Sequence, residues 1–80
     1  MRLIRRGDGT LVADLQGLDG ARLQIAVRDI VKKLPQGARA EIIMDDPDTH
    51  EPILMALRIW GCQLLYDTLE AGTFRIGVRR

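Results

Sequence analysis

A single cysteine, one tryptophan, one tyrosine and one phenylalanine in 80 residues exclude several kinds of protein at once. One cysteine allows no internal disulfide framework and fits a reducing compartment. Few rings are left on which unpaired bases could stack, and Trp60 and Phe74 are expected in the core, which weakens single-strand RNA binding. No apolar run approaches the ~20 residues of a membrane span, and no signal-peptide run follows Met1. The expectation is a soluble, cytoplasmic chain with no membrane insertion. Charge of one sign is also missing. The 12 Lys and Arg against 11 Asp and Glu leave a net charge of +1, which argues against a general nucleic-acid binder that works by neutralising phosphates.

What is present is a patterned chain sized for one small domain, residues 1–80, in which nearly every apolar side chain is needed for the core. Gly7, Asp8 and Gly9 separate two short apolar runs, and Asp-Gly in that position is a turn signal. Thr10 to Leu15 reads as a strand, with residues 1–9 as an N-terminal extension or an edge hairpin built on Arg2 to Arg5. From Leu23 the apolar positions Ala26, Val27, Ile30, Val31 and Leu34 follow the i, i+3, i+4, i+7 spacing of one helix face, which Pro35 and Gly37 end. In Ala38 to Met44, Ala38, Ala40, Ile42 and Met44 alternate with Arg39, Glu41 and Ile43, as in a strand. Ile53, Ala56, Leu57 and Trp60 mark a second helix that stops at Gly61. It is expected to begin near Asp48 to Glu51, with Pro52 in its first turn. The remainder reads as two strands around Ala71 and Gly72, with Phe74, Ile76 and Val78 pointing inward.

The predicted class is α+β. The order β-α-β-α-β-β places both helices on one face of a four-stranded mixed sheet, a two-layer α/β sandwich, with the N-terminal strand as an addition at the edge.

Five stretches carry a family likeness: "DLQGL" (Asp14 to Leu18), the helix containing Arg28, "LPQGA", "IIMDDP" ending at Pro47, and "GCQLL". Together they resemble the frame of the TusA/SirA family of small sulfur carriers over roughly residues 11 to 79. The resemblance implies the strand and helix order already read from the residues. It also implies that Gly20 stands where the family has the carrier cysteine of its Cys-Pro-x-Pro motif, with Ala21 and Leu23 in place of the prolines. A thiolate at a helix N-terminus is stabilised by free N–H groups and the macrodipole, which readies it to accept sulfur. Gly20 keeps the place and lacks the nucleophile. The implied protein is a non-catalytic binding or regulatory module without cofactor. Its partners would be proteins, with sulfur-relay or tRNA-thiolation components the ones the resemblance suggests.

The candidate binding residues are therefore Asp19, Gly20, Ala21, Arg22, Leu23 and Ile25. Ile25 is an apolar residue on the polar side of its helix, as at a contact surface. The N–H groups at this helix start can take a small anion beside Arg22, or the Asp19 side chain can cap them, and the cap is the stronger expectation. Cys62 is the one thiol that a rival sulfurtransferase could use, but no basic neighbour in the local sequence would activate it. The acidic run Asp45, Asp46, Asp48, His50 and Glu51 matches no metal-loop spacing, so no metal is expected. Arg2, Arg5, Arg6, Arg75, Arg79 and Arg80 suggest one basic sheet edge. That edge could serve RNA phosphates in a third reading, or could guard against edge-to-edge aggregation.

Overall fold

The structure, a computed structural model, describes residues 1–80. Its elements run β1 (Arg2–Arg5), β2 (Leu11–Asp14), α1 (Gly20–Lys33), β3 (Arg39–Met44), α2 (Pro47–Ile59), β4 (Gln63–Glu70) and β5 (Thr73–Arg79). The strands form one mixed sheet in the order β1-β2-β3-β5-β4. β2 and β3 are parallel neighbours, and every other pairing is antiparallel. β3 and β4 both run against β5, so they are parallel to each other with β5 between them. This is the expected α+β sandwich with the N-terminal strand added at one edge.

The hairpin that adds β1 closes through a three-residue loop. The Arg6 N–H donates to the Thr10 carbonyl at 2.8 Å and the Gly9 N–H to the Arg6 carbonyl at 3.0 Å. Gly9 sits at φ +88°, a left-handed position that glycine occupies without steric cost. At the other end of the sheet, Ala71 (φ +50°) and Gly72 (φ +79°) turn β4 into β5. Both central residues have positive φ, as the right-handed twist of a tight hairpin favours.

One core lies between the sheet and the two helices. Ala13, Leu15, Ala40, Ile42, Met44, Phe74, Ile76 and Val78 face it from the sheet, and Leu23, Val27, Ile30, Ile53 and Leu57 from the helices. Ile42 is 0% exposed at its centre, and truncating such a side chain to alanine costs about 2–5 kcal/mol.

The second helix starts earlier than its spacing suggested. Pro47 is its first residue and Asp46 its cap, so Pro52 lies inside the helix and not in its first turn. The missing N–H of Pro52 leaves the Asp48 carbonyl without its helical partner. Pro52 is exposed, so water can take that place. Trp60, expected in the core, is only partly buried at the end of α2.

Candidate functional site

Parallel neighbours end at the same edge of a sheet, so the loop after β2 lies beside the loop after β3. The first loop delivers the start of α1, and the second delivers the acidic run. Asp19 stands at the N-cap position of α1 with extended backbone (φ −140°), but its side chain makes no capping hydrogen bond. The expected Asp19 cap is therefore corrected. The Gly20 N–H donates instead to Oδ2 of Asp46, at 3.0 Å, and the Gly17 N–H to Oδ1 of Asp45, at 3.0 Å. Asp46 also accepts from the Asp48 N–H at 3.2 Å and from the Thr49 hydroxyl. These contacts, the Thr49 hydroxyl foremost and then the Gly20 N–H, hold the Asp46 carboxyl below its usual pKa. A carboxylate of the chain itself thus holds the Gly20 N–H, one of the groups at which an external anion was considered. The acidic run has its structural work in these backbone contacts, and no cluster of three metal-binding side chains forms anywhere.

The other candidate residues divide. Leu23 is 0% exposed and belongs to the core, so it cannot touch a partner. Asp19, Ala21, Arg22 and Ile25 are exposed and Gly20 is half-buried. Ile25 is 61% exposed and lies between two depressions. One is a groove of 340 Å³ toward β1, bounded by Leu3, Leu11, Arg22, Ile30 and Lys33. The other is a shallower cleft of 290 Å³ toward the end of α2, formed with Ala21, Gln24, Arg28 and Trp60.

Cys62 is buried, and that burial pushes its thiol pKa up against a weaker opposite pull from Arg80. A sulfur-accepting cysteine needs access and a lowered pKa, and Cys62 has neither.

The six arginines do not form one edge. β1 is an edge strand, but β5 is separated from it by β2 and β3. Arg80 turns back to donate to the carbonyls of Lys32 and Leu34 at the end of α1. His50 finds a partner, with Nε2 at 2.8 Å from Asp67 and its ring stacked on Phe74. None of the surface depressions reaches this pair, so it has no substrate space.

One constellation was missed by sequence reasoning. On the sheet face without helices, Glu41 is 4% exposed, with Arg6 at 2.8 Å and Arg75 at 3.1 Å. The Tyr66 hydroxyl donates to its other oxygen. Burial acts to raise the Glu41 pKa, but the Tyr66 hydrogen bond and the Arg6 charge outweigh it and the carboxyl titrates lower than usual. Tyr66 reaches across β5 because Gly77 has no side chain: a Cβ there would stand 2.1 Å from the tyrosine ring. The available signal was a glycine inside a strand, which marks a close approach. All four polar groups satisfy one another, so the cluster reads as a fastening of three strands and not as a reactive centre.

No protein-family model matches the chain, and no curated protein matches it.

Proposed function

We propose that this chain is a TusA-like domain without a carrier thiol, acting as a non-catalytic protein-binding or regulatory module in a cytoplasmic sulfur-relay or tRNA-thiolation setting. The observation that carries this reading is the occupied start of α1. Position 20 has no nucleophile, and its N–H is held by the Asp46 carboxylate at 3.0 Å. A negative group at that place opposes the formation of a thiolate or the docking of an anion. The only thiol of the chain, on Cys62, is buried with a raised pKa, which speaks against the sulfurtransferase alternative. The scattered arginines likewise give the RNA-binding alternative no continuous basic edge. What the junction still offers is exposed surface at Ala21, Arg22 and Ile25, beside an apolar groove.

The test is an intact mass spectrum after incubation with a cysteine desulfurase and cysteine. The Cys62→Ser variant and a TusA relative that has the carrier cysteine are run alongside. The expected result is no added sulfur on this chain while the relative is charged in the same mixture. A gain of one sulfur atom that disappears with Cys62→Ser would make the protein a relocated carrier and end this reading.

A further inference from the structure

The edge strand β1 and the groove beside it form a continuous surface. All four residues of β1 are exposed. The Arg6 N–H bonds inward to Thr10, and hydrogen bonding alternates along an antiparallel strand. Arg2 and Ile4 therefore turn their backbone groups toward β2, while Leu3 and Arg5 turn theirs outward with no partner strand. Leu3 lies opposite Ala13 in the register, so its side chain stands on the helix side of the sheet. There Leu3 (50% exposed) and Ile25 (61% exposed) face each other across the 340 Å³ groove, which Leu11 and Ile30 also line. The charged residues at its rim are Arg22, Lys33 and Asp29, and Arg5 follows Leu3 by two residues on the same strand face. Two cations thus border an apolar floor against one carboxylate, and the Arg5 guanidinium, which donates to the Gly9 carbonyl at 3.0 Å, stands further along β1.

We propose that β1 with this groove is a strand-addition site for an extended acidic segment of another protein. Main-chain hydrogen bonds to Leu3 and Arg5 would align the segment, and alternate apolar side chains would seat between Leu3 and Ile25. Carboxylates flanking those anchors meet Arg22 and Lys33. A second copy of this chain is the poorer occupant, because joining two β1 edges would bring Arg2 and Arg5 of both chains to one seam, where like charges repel. The inference rests on the reading of the chain as a binding module and adds where it binds and what chemistry it accepts.

The experiment uses the full chain, isotope-labelled for NMR and titrated with a blocked heptapeptide that alternates glutamate and leucine. A matched peptide with lysine for glutamate is the control. The expected result is shifted signals and slowed exchange at the Leu3 and Arg5 amides. Ile25→Glu and Leu3→Pro should each weaken binding about tenfold or more, and added salt should weaken it further. Proline at an outward-facing edge position keeps the ladder to β2. If Leu3→Pro nonetheless disturbs the fold, Ile25→Glu on the exposed helix face carries the test. Silence at β1 up to about 1 mM peptide, a range that catches even weak binding, overturns the proposal. So does equal binding of the lysine peptide, or self-association that Leu3→Pro abolishes, which would assign the seam to a second copy. Sulfur uptake is read in a separate assay, so peptide failure without sulfur uptake removes this site alone, and sulfur uptake removes the non-catalytic reading alone.

Discussion

The two helices begin in opposite ways. α2 is capped by its own neighbour, since Asp46 immediately precedes Pro47 and accepts from the Asp48 N–H. α1 has an aspartate in the same position, and that side chain contributes nothing to the cap. Its first N–H is taken by Asp46 from a different loop, 26 positions along the chain. A single carboxylate therefore serves two helix starts, Oδ1 taking the Asp48 N–H of α2 and Oδ2 shared between the Gly20 N–H of α1 and the Thr49 hydroxyl of α2. A good N-cap residue in the right place is a local preference, and a carboxylate brought in by a parallel strand can displace it.

The change that should most sharply break this contrast is Asp46→Ala. Losing the cap of both helices together is expected to lower Tm on the order of 10 °C, and the Gly20 and Asp48 amides should exchange faster in concert. If only the Asp48 end responds, the shared cap is not operating. Next in size is Gly20→Cys, which returns a thiol to the place the family resemblance assigns to the carrier. Gly20 lies at φ +49° with open space where a Cβ would stand, so the cost is conformational, roughly 1–2 kcal/mol. With Asp46 adjacent, the new thiol should titrate at or above the ordinary cysteine range, as pH-dependent alkylation would measure. A lowered pKa would contradict the picture of an anion site already filled.

A smaller effect is expected from acid. The Asp46 carboxyl titrates below its usual value when folded, so its stabilisation is complete above the ordinary carboxylate pKa of about 4 and is lost as pH falls through the lowered one. Thermal melts from about pH 5 to pH 2 should show Asp46→Asn losing less Tm than the parent chain, and parallel slopes would remove Asp46 from the explanation. Asp19→Ala should do least, within about 0.5 kcal/mol in denaturant unfolding, because the side chain makes no cap. A larger loss would restore Asp19 to the role its position suggested.

Apolar spacing made most of the architecture legible. Leu23 to Leu34 revealed α1, and the alternation in Ala38 to Met44 revealed β3, because burying one face imposes a period. The turn residues around Asp8 and Ala71 placed both hairpins. What escaped is non-local. No spacing tells that Asp46 reaches Gly20, since that contact follows from β2 and β3 being parallel neighbours. The early start of α2 escaped because Pro47 and Pro52 both fit a first turn, and the cap at Asp46 decided between them. The arginines were grouped by nearness to the chain ends, whereas β5 lies inside the sheet. At the junction, the exposure of Ile25 followed from its place on the helix, while the burial of Leu23 was already implied by its membership of the apolar stripe.

The tyrosine lying over Gly77 also constrains how this sequence can diversify. Any side chain at 77 would collide with the Tyr66 ring and release the hydroxyl that Glu41 receives. Substitution at either position alone therefore crosses a less stable intermediate. Positions 66 and 77 should accordingly drift as a pair, an aromatic residue with glycine or a small residue with a larger one, leaving a correlated signature in a library selected for folding.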